Sequence, residues 1–539
     1  PATMHTRLRP VGLAFSLLVI AGACGGSSTS PTSAGQHPVS TTPAVSPNTQ
    51  DIASLTPMNP APDTGAERLH FKVGPFTIEP GQNNIANRGA AAQQPSVDGW
   101  IVGIRPNLEY ANGTTPGVDV IHLHHAVWLN LSASDTTSPG LPERFFAVGE
   151  EKTNLKFPAG YGYPYKTSDR WLLDYMIHNL TPNRAQVWIS YDIDFIPATS
   201  PAARHLVPVR PIWMDVQNGE TYPVFNIPKG GGQNGNYTYP DDANNPYLGG
   251  PAKNVWTVDQ DGTLISTAGH VHPGGLHDDL WLQRTGAVVS TSRAKPGTTD
   301  TVHLFTSVAH YYEPAGPVSW DVTMSATPDN WRVQVHKGDK LEVTATYDSQ
   351  NDAWYEGMGI MVVWMAYGNA GTDPFTTSVN APGILTHGHL PEDNNHGGPS
   401  PDLKHYVDET KLPSRTVPNG YTIDISNFAY ASGDMSIATT VPTIKEGESI
   451  TFDNLDGPLG NGIWHTITAC RAPCDGSSGI AYPLANGTIQ FDSGELGTGG
   501  PPASGTVTWS TPTNLPPGTY TYFCRIHPFM RGAFRVVAR

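Results

Sequence analysis

Cysteine is scarce. The 539 residues contain four, which excludes a small scaffold stapled by many disulfides. Basic residues are in deficit as well: 31 Lys and Arg stand against 47 Asp and Glu, a formal charge of -16. Nucleic acid and anionic membrane surfaces would be repelled, so soluble partners and small molecules remain. Long apolar runs are confined to Val11 through Ile20, short of the roughly 20 residues that span a bilayer. No long amphipathic helical pattern stands out either. What is abundant is Gly (56) and Pro (50), together about one residue in five, below the roughly 25–30% that marks disorder. Short alternating stretches such as "AQVWISYDIDF", "KLEVTATYD" and "MGIMVVWMAY" lie between these turn residues, the pattern of an all-β protein. A chain of this length exceeds one core, which rarely grows beyond about 250–300 residues, and three folded units are expected.

Residues 1–24 read as an export signal: Arg7 and Arg9, the apolar run, then Ala21-Gly22-Ala23 before Cys24. The small residues ahead of Cys24 resemble a lipoprotein cleavage site, with Cys24 as a lipid anchor. The mature protein is therefore expected outside the cytoplasm, secreted or lipid-anchored at the outer face of a bacterial membrane. Residues 25–66 are Ser/Thr/Pro-rich and read as a tether. A β unit is expected over 67–197, and a second, opening in a similar way, over 198–372. A polar connector follows over 373–415, and a last β unit over 416–539. Cys470 and Cys474 are close enough to close a small disulfide loop. Cys524 is then a lone thiol in an oxidising compartment, where metal ligation would protect it.

Cys524, His527 and Met530 stand as C-x2-H-x2-M after the strand "TYTYF", and His465 in "GNGIWHTIT" lies about sixty residues upstream. Two imidazoles, a thiolate and a weak axial thioether form the ligand set of a blue copper centre suited to one-electron exchange. Over about 415–539 the chain resembles the cupredoxin family, especially its amicyanin-like members. The resemblance implies a Greek-key β-sandwich holding one type 1 copper.

Other histidines cluster upstream: His122, His124 and His125 in "IHLHHAVWLN", His178 in "YMIHNL", and His270, His272 and His277 in "TAGHVHPGGLH". Alternate strand residues share a face, so His270 and His272 can reach one metal. By the same rule His122 pairs with His124, unless a bulge re-aims His125. With "YEGMGIMVVWMAY" after them, these motifs resemble, over about 69–370, the type II copper, ascorbate-dependent monooxygenases typified by the peptidylglycine α-hydroxylating enzyme. The resemblance implies two jelly-roll-like β-sandwich lobes with two type 2 coppers across a solvent-filled cleft. His124, His125 and His178 would hold the electron-transfer copper. His270, His272 and Met358 would hold the catalytic, oxygen-activating one. It also implies dioxygen, a small-molecule substrate and an external electron donor as partners. The Arg that holds a peptide carboxylate in that family is Ala268 here, and two further substrate contacts fall on Ile360 and Val362. A fairly apolar, non-peptide substrate is expected instead. In the connector, "ILTHGHLPEDNNHGGP" sets His387, His389, Glu392 and His396 close together, read as a His-bearing polar linker with a metal site as the other option.

Overall fold

The computed structural model describes residues 65–539 apart from 79–88, 119, 180–183, 221–222, 229, 286–298, 312–321, 351–353, 389–410, 427–428, 431–438, 457–464, 472–489, 495, 498–504 and 525–529. The signal, tether and Cys24 fall outside the described residues, as do Cys474, His389, Glu392, His396 and His527. The architecture is all-β, as the alternating patterns require. Among the described residues no helix is long and apolar enough to cross a membrane.

Two cores lie on either side of a shared set of strands. A sixteen-stranded sheet runs from Glu67–Ile78 through Ala185–Pro197, Gly99–Glu109, Tyr161–Tyr165 and Val207–Asp215. It continues through Ile360–Tyr367 and Gly262–His270 into the second half. The join is parallel, Val207 opposite Tyr161. Along Ile360–Tyr367 the two-residue period divides the side chains. Met361, Val363 and Met365 enter the second core, while Trp364 and Ala366 enter the first. Leu264 and Ile265 divide in the same way. A strand buried on both faces needs apolar residues at every position, which explains the unbroken run in "IMVVWMA". Burying one such side chain, Ile265 for example, contributes about 1.5–3 kcal/mol. The two halves therefore share a sheet, where the resemblance implied lobes facing each other across a cleft.

A separate four-stranded sheet, Ala90–Ala91, Trp171–Asn179, Ile121–Ser134 and Pro142–Gly149, carries the first-half histidines. After residue 372 the chain stays on the second half. Phe375 is buried in its core and Ile384–Leu385 pairs with Val322–Ala326. The start of the expected connector thus packs on the second half through Phe375 and this strand pairing. From Ser414 a third core forms between a six-stranded and a four-stranded sheet, around Ile423, Phe452, Tyr520, Tyr522 and Phe534.

Candidate metal centres

The first-half histidines are arranged by a bulge. His122 sits opposite His178, pairing resumes at His125 opposite Met176, and His124 is the extra residue. A bulge of this kind turns successive side chains off the regular alternation. His122, His124 and His178 consequently bring ligand atoms within 4.8 Å of one another. His125 turns to the second half, where its Nε2 lies 2.7 Å from His272 Nε2. His124, His125 and His272 form a second group of the same tightness. The set implied by the resemblance, His124, His125 and His178, is therefore not the one gathered: His122 takes the place of His125, and a shared His124 connects the two groups.

His270 ends the strand Gly262–His270 and His272 follows two residues later, while Val271 between them enters the second core. The alternation thus outlasts the strand and keeps both rings on the site, with His270 5.3 Å from His125 between ring centroids. Gly149 permits the approach of the halves: a Cβ there would stand 2.4 Å from His270 Cε1. Met358 is tied to His272 by Tyr347. The Tyr347 hydroxyl accepts from His272 N (3.0 Å) and Met358 N (2.8 Å) and donates to Met358 O (2.7 Å). The Met358 side chain packs with Trp213, Val224 and Ile360. With His125 it lines a cavity of about 290 Å³ whose walls include Val127, Leu129, Trp213 and Asp215. His277 lies elsewhere, its Nδ1 3.0 Å from Asp279 Oδ2.

The outer nitrogens of these rings face oxygen. His122 Nδ1 donates to Val118 O (2.9 Å), His270 Nδ1 to Glu151 Oε2 (2.9 Å) and His272 Nδ1 to Glu356 O. His124 Nδ1 stands 2.9 Å from Glu150 Oε1. A carbonyl or carboxylate can only accept, so the outer nitrogen of His122, His270 and His272 carries a proton, and in His122 and His272, which burial keeps neutral, Nε2 keeps its lone pair. That is the tautomer and support a metal-bound imidazole requires. His270 Nε2 is buried without a protein hydrogen-bond partner. Burial lowers His122 to about 4 and His124 to about 3, and pushes His125 and His272 well below their ordinary value. These rings are neutral at pH 7. Burial acts the same way on His270, but the adjacent Glu151 carboxylate outweighs it and favours positive charge there. A neutral, soft-to-borderline nitrogen set with a thioether close by fits copper.

In the C-terminal unit His465 Nε2 donates to Asp456 Oδ2 (3.0 Å), which turns Nδ1 toward Cys524 Sγ at 3.8 Å. Burial opposes charge on His465, yet its bonds to Asp456 and Cys524 raise it. Thr466 N donates to Cys524 Sγ (3.4 Å), and Cys524 N to Met530 O (3.2 Å). Cys524 and Met530 are fully buried. The Cys524 sulfur and the His465 imidazole thus meet, with Met530 buried in the same core, and this donor set fits a copper ion. His387 does not: its Nδ1 lies 2.7 Å from Gly388 O and its Nε2 against Glu151 O.

Sequence reasoning missed Glu150, Glu151 and Tyr347. An acid pair in "GEEK" after a strand reads as a solvated turn, and only the fold buries it, at 2% and 1% exposure.

No protein-family model matches the chain and no curated protein matches it. Among solved structures it is similar to amicyanins. A reduced Cu(I) amicyanin variant is 21% identical, covering 23% of this chain and 85% of that one, with a TM-score of 0.14. The amicyanin from Paracoccus versutus is 18% identical over 24% of this chain and 91% of its own, with a TM-score of 0.13.

Proposed function

We propose that the chain is an exported copper-dependent oxidoreductase that uses dioxygen to oxidise a small, fairly apolar molecule at the His122–His272 assembly, with the Cys524 site exchanging electrons one at a time. The observation that carries this reading is the convergence of six histidines, all but His125 buried, from two halves of the molecule, with His125 Nε2 2.7 Å from His272 Nε2. Copper held there by the inward Nε2 atoms, with Met358 as thioether, would supply the one-electron steps and the reduction of dioxygen.

The remaining work falls to the protein's own groups. Glu150 and Glu151 hold the histidine rings of the two halves from outside. Tyr347 fixes the backbone at His272 and Met358 together. Val127, Leu129 and Trp213 exclude water and orient an apolar molecule in the cavity beside His125 and Met358. Asp215, on the same wall, is raised to about 6 by burial, so its carboxyl can take up and release a proton near neutral pH while Oδ2 accepts from Trp213 Nε1 at 3.2 Å. At the far end of the chain Asp456 keeps His465 Nδ1 turned to the Cys524 sulfur.

Oxygen uptake by copper-loaded full-length protein with a chemical reductant tests the reading. Apolar compounds should stimulate uptake. Met358→Ala should abolish it while leaving the blue absorption of the Cys524 site in place. Turnover that survives Met358→Ala contradicts the assignment. Absence of uptake under all conditions leaves a copper-binding electron-transfer protein.

A further inference from the structure

A second cavity, of about 280 Å³, is lined by Arg105 and Thr153 of the first half and by Thr267, Ala268 and His270 of the second. Ile360 belongs to the walls of both cavities. Arg105 is 6% exposed and gives Nη2 to Asp194 Oδ2 at 2.5 Å, while its Nε and Nη1 have no protein hydrogen-bond partner. Asp194 is also claimed by Arg68, through Nε at 2.9 Å and Nη2 at 3.2 Å. Two guanidinium groups therefore share the Asp194 carboxylate, and Arg105 is left with two buried donor nitrogens unmatched. Thr153 Oγ1 and Thr267 Oγ1 are likewise buried without partners.

Unmatched buried donors each cost free energy, a charged one most of all. Native proteins leave few of them, and several around one cavity mark the place of a missing acceptor. The buried anion on the wall, Glu151, is already engaged by His270 Nδ1 and by Gly149 N at 2.9 Å. Asp329 and Lys156, also on the wall, are exposed. The lining also has apolar members, Phe146, Val362 and Trp364.

We infer that this cavity between the halves binds a small organic carboxylate with an apolar body. Arg105 meets the carboxylate, the Thr153 and Thr267 hydroxyls add donors, and the body lies against Phe146 and Trp364. The wall shares His270 and Glu151 with the histidine assembly, but the groups that meet the carboxylate, Arg105, Thr153 and Thr267, are none of the proposed copper ligands.

Benzoate titrated calorimetrically into the full chain, with and without added Cu(II), tests this. Benzamide, of the same shape without the charge, serves as control. Benzoate should bind in both metal states and benzamide at least tenfold more weakly. Arg105→Met should weaken benzoate at least tenfold. Thr267→Val, which keeps the side-chain shape, should weaken it severalfold and decides the matter if the Arg105 variant does not fold. Equal binding of acid and amide, no binding of benzoate, binding only in the presence of copper, or binding untouched by the variants would each overturn the inference. Heat of binding is read without turnover, so failure here leaves the proposed oxidation untouched.

Discussion

The C-terminal site and the six-histidine assembly are built in opposite ways. Cys524 and Met530 belong to one short loop motif, and a single distant residue, His465, completes the described part. The other assembly draws on three segments more than fifty residues apart, and only a bulge at His124 and a glycine at 149 bring its rings together. A site written into one loop tolerates changes elsewhere, whereas one assembled across two cores depends on everything that holds the halves in register. Substitutions should separate the two.

The largest expected effect is that of Cys524→Ser. Removing the thiolate should eliminate the blue absorption and the narrow copper hyperfine pattern entirely, leaving the type 2 resonance of the histidine assembly unchanged. Electron paramagnetic resonance on the variant checks both halves of that statement. Glu150→Gln and Glu151→Gln come next. Each should lower copper affinity at the histidine assembly by about 10–100-fold, as loss of an outer carboxylate does, while leaving the blue site intact. Competition with a chelator of known affinity measures the loss. Equal losses at the Cys524 site would break the contrast.

These carboxylates also mark where the sequence stops being readable. The C-x2-H-x2-M spacing needs no knowledge of tertiary structure, and neither does the alternation that pairs His270 with His272. The all-β class follows from the same two-residue period. The partner of His178 is another matter. Whether His122 or His125 joins it turns on a bulge, which inserts one residue without leaving a compositional mark. Glu150, Glu151 and Arg105 look like surface charges in the linear chain and are buried only because the two halves close over them. Cys474, His527 and the remaining connector histidines lie outside the described residues.

A last effect, about as large as these affinity losses, concerns Asp215. Its carboxyl is raised to about 6 by burial, against about 3.9 in an unfolded chain. Between those values the folded state binds the extra proton, so this group's stabilisation is full at low pH and is lost as pH rises through 6. Asp215→Asn should therefore gain stability relative to the parent between pH 4 and pH 8, by on the order of 2–3 kcal/mol. Denaturant midpoints at the two pH values give the difference, and a constant difference would refute the burial argument.

Copper per chain, measured by elemental analysis on reconstituted and desalted full-length protein with the paramagnetic resonance spectrum of the same sample, tests the central claim most directly. The account predicts about three coppers, one with the narrow hyperfine splitting of a thiolate site and the others of ordinary type 2 character. A single blue copper, with the histidine assembly unfilled, would contradict it.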